Sequence, residues 1–199
     1  MASRQRDIAF EASWRRQQDR QHRPVADSLY RQVFGDNIEV VRIDETEIES
    51  ATSKALDLLA VDFHLIWPSG DRLSGQEKFL SYDQRKYGTI TISEHSRPRC
   101  TAQIYFVGYL TAAGDGFDPW IILNWADVVL ATARARVAWN MRRSHGNYPS
   151  FWWTPIERLP EECIIAQGPS PGAIAHAARA RGETVPIEDV VRLERRSGG

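Results

Sequence analysis

The sequence predicts an α/β (α+β) domain: a central mixed β-sheet flanked by helices, with a C-terminal helical appendage. Three observations predict it. A helical N-terminal stretch, residues 6–34, carries apolar Phe10, Trp14, Leu29, Tyr30 and Val33 and then gives way to short runs rich in β-branched residues. Two of those runs, 58–67 and 73–81, flank the turn cluster Pro68-Ser69-Gly70-Asp71, the pattern of a β-hairpin. Gln167-Gly168-Pro169-Ser170-Pro171-Gly172 then reads as a linker to two short helical segments.

The elements follow in order. Pro24 lacks an N–H and restricts Arg23 before it, so it is expected to divide the first helical stretch into two pieces. Gly35-Asp36-Asn37 is a stop and turn, and 38–43 (IEVVRI) is the first strand. Residues 44–54 are acidic and polar and read as a connection. The hairpin comes next, followed by a short alternating strand at 89–94 (TITISE) and an apolar segment at 103–110 that suits either a strand or a buried helix. Residues 114–119 (GDGFDP) read as a loop. Residues 120–125 (WIILNW) read as a strand that runs into a helix at 126–139. Residues 151–155 (FWWTP) look like a late edge strand, where proline is tolerated. Beyond the linker, 173–181 is alanine-rich and 187–196 is amphipathic through Val190, Val191 and Leu193, suited to docking or to meeting a partner. The expected organisation is therefore one α/β domain, 1–166, with a linker and short helices at 167–199.

Composition narrows the function classes. With 42% hydrophobic and 26% charged residues, the chain of 199 residues has enough apolar surface for a packed core and is unlike a disordered chain. The formal net charge of −1 means that a nucleic-acid site would have to be a local basic patch. Cys100 and Cys163 are far apart and form no CxxC or Cys/His cluster, so buried or half-buried thiols are expected and zinc is not. The charged start has no apolar secretory core, and no stretch approaches the roughly 18 apolar residues of a membrane span. A cytoplasmic protein with no membrane partner is expected.

The chemistry concentrates in the hairpin. Residues two apart on a strand share a face, so Asp62, His64 and Ile66 point one way, while Gln76 and Lys78 share a face that Glu77 does not. A carboxylate inside an apolar run carries a desolvation penalty and needs a cation, a metal or hydrogen bonds. Lys78 or a divalent ion would satisfy Asp62, and hard oxygen ligands suit Mg²⁺.

The segment VDFHLIWPSGDRLSGQEK, with Asp62 before the turn and Gln76-x-Lys78 after it, resembles the PD-(D/E)XK, or restriction-endonuclease-like, nuclease superfamily. The likeness extends in outline over 6–130, through the order helix, strand, hairpin and further elements. The family usually has Asp or Glu where this chain has Gln76, although variants with glutamine there exist. The resemblance implies a restriction-endonuclease-like core and hydrolysis of phosphodiester bonds in DNA assisted by Mg²⁺ (or Mn²⁺). It implies that Asp62 and Gln76 hold the metal, that Glu77 replaces Gln76 if a bulge shifts the register, and that Lys78 orients water or neutralises the scissile phosphate. It also implies a glutamate from the first helix, for which the candidate is Glu11.

Further candidates surround this set. Asp57 and Glu94 are better read as exposed residues at strand ends, and His64 as a satisfied core histidine. Arg97 and Arg99, and then Arg134, Arg136, Arg142 and Arg143, form two basic groups near Trp139, His145 and Tyr148 that suit a phosphate backbone. Trp120, Trp125, Trp152 and Trp153 are expected in the core. Expected partners are DNA and a protein met through the C-terminal helices, with a homodimer left open. The main alternative keeps the fold and drops the chemistry: a catalytically inactive module that binds nucleic acid or a protein. A different enzyme using His64, or His95 with Glu94, finds no supporting Ser/His/Asp or Cys/His spacing, and no GxGxxG or GxxxxGK[ST] loop occurs.

Overall fold

A computed structural model describes residues 20–43, 60–93, 100–143 and 150–168. Within them the chain is α+β. Residues 20–34 form the first helix, α1. It ends where the Gly35 N–H donates to the Arg31 carbonyl at 2.8 Å and Gly35 takes a φ of +111°, a conformation open to glycine. The helix runs through Pro24 without the expected break. Proline there forfeits one backbone hydrogen bond, and the burial of Ala26, Leu29 and Tyr30 just beyond it outweighs that loss.

Six strands make the main sheet: β1 (Glu39–Arg42), β2 (Phe63–Ile66), β3 (Arg72–Leu80), β5 (Ile104–Leu110), β6 (Phe117–Asn124) and β9 (Ile164–Gly168), in the order β1-β2-β3-β5-β6-β9. The β3–β5 pair is parallel and the other pairs are antiparallel, so the sheet is mixed. A parallel pair needs a crossover. Here that connection includes a 3₁₀ helix (Tyr82–Tyr87) and β4 (Thr89–Ser93), which leaves the main sheet. Strand β4 pairs with β8 (Phe151–Pro155), and β8 with β7 (Asn140–Arg142), in a second, antiparallel sheet.

The main sheet is covered on both faces. Helix α1 brings Ala26, Leu29 and Tyr30 against Phe63, Leu65, Phe106, Phe117 and Ile122. On the other face Tyr105, Val107, Ile121 and Leu123 meet Ile90 and Ile92 of β4 and Trp125 and Val128 of the second helix, α2 (Trp125–Ala133). Trp120 and Trp125 are buried, whereas Trp152 and Trp153 are half-buried. Cys163 is buried and Cys100 half-buried, both as free thiols.

Several expectations need correction. Strand β6 begins at Phe117, inside the expected loop, because Phe117 is fully buried against Phe106 and Phe79 and pairs with Leu110. Strand β8 is the middle of its sheet rather than an edge; Pro155 is tolerated because it sits at the last register position, opposite Thr89. Gln167 and Gly168, read as linker, end β9 and pair with Ile121 and Trp120. Strand β9 itself was not anticipated. Helix α2 starts one residue early, where the Asn124 side chain accepts from the Ala126 and Asp127 N–H groups at 3.1 and 3.4 Å. It stops six residues short of Trp139. There the Arg136 N–H donates to the Ala131 carbonyl and the Ala135 N–H to the Thr132 carbonyl, with Ala135 at a φ of +56°. That closing motif usually marks itself with glycine, and alanine hides it. Residues 169–199, with their expected helices, lie outside the described residues. No helix among the described residues is long and apolar enough to cross a membrane.

Candidate functional site

Asp62 stands immediately before β2. Its N–H donates to the Gly75 carbonyl at 2.8 Å and its carbonyl accepts from the Ile43 N–H at 3.1 Å, so its backbone is tied to β1 and β3 at once. The Asp62 carboxylate reaches across the hairpin. Oδ2 accepts from the Gln76 Nε2 at 2.5 Å and from the Glu77 backbone N–H at 2.9 Å. The structure thus brings Asp62 and Gln76 into direct contact. Gln76 Nε2 also lies 3.3 Å from the Glu77 carbonyl oxygen, while Gln76 Oε1 is buried with no hydrogen-bond partner among the described residues.

The register of β3 against β5 runs without interruption from Gly75 to Leu80. No bulge intervenes, so Gln76 and Lys78 share a face and Glu77 takes the other. Lys78 is half-buried, two residues beyond Gln76, and pairs with Val107. The Gln76 face also holds Tyr105, which pairs with Gln76 and donates its hydroxyl to the Thr91 carbonyl at 2.8 Å. Cys100 lies close by, its Sγ 3.8 Å from the Ala60 carbonyl. Burial pushes the Cys100 thiol up to about 11, and the negative charge of Asp62 adds to that rise. His64 is on the same face of its strand as Asp62 and half-buried; burial and the nearby charge of Arg72 lower its pKa.

Glu77 occupies the opposite face, with its side chain 7% exposed. Its Oε1 pairs with Arg42 Nη1 and lies 3.9 Å from Arg23 Nε, and its Oε2 accepts from the Tyr30 hydroxyl at 3.1 Å. Arg42, 3% exposed, also pairs with Asp27, and its guanidinium lies over the Phe63 ring at 5.2 Å. Burial raises the Glu77 pKa, while Arg42 and Arg23 pull it back down. Burial, the largest single influence, lowers the Arg42 pKa, but the charge and hydrogen bond of Glu77 together with Tyr30 and Asp27 outweigh it and the net shift is upward. The Phe63 ring fits because Gly75 faces it: a Cβ on Gly75 would sit 2.1 Å from the ring. That leaves Phe63 stacked on Tyr30 at 4.6 Å.

This cluster of Arg23, Asp27, Tyr30, Arg42 and Glu77 was not foreseen. Its signal was an arginine closing the apolar strand EVVR, since a buried guanidinium must have an acid on its own face of the sheet. Of the remaining candidates, Glu11, Asp57, Glu94, Arg97 and Arg99 lie outside the described residues. Arg134 and Arg136 are exposed just past α2, and Arg136 pairs with Glu162. Arg142 and Arg143 are exposed at the end of β7, with the Arg142 guanidinium 6.0 Å from the Phe151 ring centre.

The donors at the hairpin fit a divalent cation. The Asp62 carboxylate faces the Gln76 amide nitrogen, the amide oxygen is buried without a partner among the described residues, and both oxygen groups are hard ligands of the kind Mg²⁺ takes when it keeps several waters. Among the described residues no group of three or more His, Cys, Asp or Glu side chains converges, and Asp62 and Gln76 are the two that could hold a cation here. Comparisons with protein-family models, curated proteins and solved structures found no match to this chain.

Proposed function

We propose that this protein is a metal-dependent nuclease that hydrolyses phosphodiester bonds in DNA, built on a restriction-endonuclease-like core of the PD-(D/E)XK type. One observation carries the reading: Asp62 contacts Gln76 across the hairpin, with the buried Gln76 Oε1 unpartnered among the described residues and Lys78 next on the same face. Mg²⁺ or Mn²⁺ at this point would supply a Lewis acid and an activated water. Asp62 supplies the anionic ligand. Gln76 would add its Oε1 as a neutral ligand, at the cost of the hydrogen bond from Nε2 to Asp62. Lys78 holds its ammonium beside the scissile phosphate and neutralises charge developing there. Glu11, the acid that the resemblance implies, lies outside the described residues.

Cleavage of single- and double-stranded DNA with Mg²⁺ or Mn²⁺, compared between the unchanged chain and Lys78→Ala, tests this. Metal-dependent cleavage lost in the variant is the expected result. No cleavage of any DNA form, with no metal-dependent shift in melting temperature, would overturn it. A second reading, a catalytically inactive module of the same fold that binds nucleic acid or a protein, is favoured by one feature: Glu77 is engaged by Arg42, which leaves Asp62 as the anion at the Gln76 site. Salt-sensitive DNA binding without cleavage would select that reading.

A further inference from the structure

Immediately after β3 the chain turns outward. Every residue from Ser81 to Tyr87 is exposed, and the Tyr82–Tyr87 3₁₀ helix buries none of its side chains. Two of them are large aromatics, Tyr82 at 48% and Tyr87 at 61% exposure. The core beneath takes its aromatic rings from Tyr105, Tyr109 and Trp125, so packing does not require these tyrosines. Of the two cations in the last turn, Arg85 is paired with Asp118, so Lys86 is the cation set beside the rings, with Asp83 in the first turn. The Lys86 ammonium lies 5.3 Å from the Tyr87 ring centre.

The turn is anchored at both ends. At the start, the Ser81 N–H donates to Gln84 Oε1 at 3.1 Å. At the end, Gly88 adopts a φ of +50°, its N–H donates to the Arg85 carbonyl at 3.1 Å and its carbonyl accepts from Ile156 N–H at 2.9 Å. The next residue is held by the Tyr109 hydroxyl, which accepts from the Thr89 N–H at 2.8 Å. Arg85 pairs with Asp118 of β6 at 3.2 Å. The two rings are thus presented from a fixed turn.

Open aromatic faces beside an ammonium match the two parts of a nucleotide, a stackable base and an anionic phosphate. We propose that the Tyr82–Tyr87 turn is a contact surface for single-stranded nucleic acid, with Tyr82 and Tyr87 stacking bases and Lys86 meeting the phosphate between them. A duplex keeps its base faces internal, so the surface selects unpaired strands. The position of the turn deepens the nuclease reading and, for the substrate alone, rests on it. Tyr82 follows Lys78 by four residues, about 13 Å of extended chain.

The test is fluorescence anisotropy of a labelled oligodeoxythymidylate and of a duplex of equal length, with the full chain in EDTA so that nothing is cut. The unchanged chain is expected to bind the single strand more tightly than the duplex. Tyr82→Ala and Tyr87→Ala should each weaken single-strand binding about tenfold or more, and Tyr82→Phe and Tyr87→Phe should restore it, because phenylalanine keeps the stacking face. Lys86→Ala should lower the salt dependence of binding by about one released ion. Both tyrosines are exposed, and unchanged melting temperatures verify that the variants fold. No single-strand binding, equal affinity for the duplex, or alanine variants that bind like the unchanged chain would each overturn the proposal. The last result, with cleavage intact, leaves the nuclease reading standing. Tyrosine-dependent binding with no cleavage in Mg²⁺ or Mn²⁺ supports the surface and overturns the nuclease.

Discussion

On the α1 face of β3, Glu77 is enclosed by Arg42, Arg23 and Tyr30, so a buried negative charge is matched by cations and a hydroxyl. On the opposite face, one residue earlier, Gln76 meets Asp62 and leaves a buried oxygen without a partner among the described residues. The two side chains differ by one position and by one charge, and their surroundings differ in kind. The first arrangement pairs its charges and ties α1, β1 and β3 together, although Arg42 Nε has no hydrogen-bond partner among the described residues. The second has an acceptor to spare, as a site that receives a ligand must. The two are coupled through one residue, since the Glu77 backbone N–H orients Asp62 while its side chain is held from behind.

The sharpest way to break this contrast is on the closed face. Glu77→Ala leaves Arg42 buried beside a missing partner and should cost about 3–5 kcal/mol, read as a large fall in melting temperature or urea midpoint. A loss below about 1 kcal/mol would show that the cluster is not what holds α1 to the sheet. Lys78→Ala addresses the open face. It should lower metal-dependent cleavage roughly a hundredfold, equivalent to about 2.7 kcal/mol of barrier, while the melting temperature moves far less than in Glu77→Ala. Equal effects of the two variants on stability would erase the distinction between the faces.

Gln76→Glu sharpens the comparison by placing a second charge beside Asp62. Without metal the two carboxylates repel, and a loss of about 1–2 kcal/mol is expected in EDTA; Mg²⁺ should restore the melting temperature and act at lower concentration than in the unchanged chain. An unaltered response to Mg²⁺ would speak against a cation at this position. The smallest effect is at Cys100, whose thiol is pushed up to about 11 by burial and by Asp62. A raised thiol pKa favours the neutral form in the fold, so its contribution to stability is present below the ordinary thiol range and fades as pH rises toward 11. Alkylation of Cys100 should therefore stay slow near neutral pH and accelerate toward pH 11, and Asp62→Asn should move that rise to lower pH. Cys163, fully buried, serves as the unreactive control.

The hairpin was legible because its signals are local. Alternation and a Pro-Ser-Gly-Asp turn are written within about twenty residues of chain, whereas the register, Phe63↔Gly75 and Ile66↔Arg72, is left open by the sequence and is supplied by the structure. The sharing of one face by Gln76 and Lys78 follows from the period of a strand. Strand β9, the central place of β8 and the end of α2 at Ala135 were not legible, since each depends on a distant partner or on a residue that does not advertise its backbone conformation. The Arg42–Glu77 pair spans 35 positions in sequence, and only sheet order brings the two side chains together.

By itself, then, the sequence determined an α+β chain with a hairpin carrying Asp62 opposite Gln76 and Lys78, because periodicity and turn chemistry act over short separations. The tertiary structure decided what each of those groups faces. Packing of α1 on one side closed Glu77 into an ion cluster, and the parallel addition of β5 set Tyr105 and Val107 beside Gln76 and Lys78 on the other. The physical reason is that desolvation and charge pairing are properties of an assembled surface, and a single strand carries only the alternation that decides which surface each residue will meet.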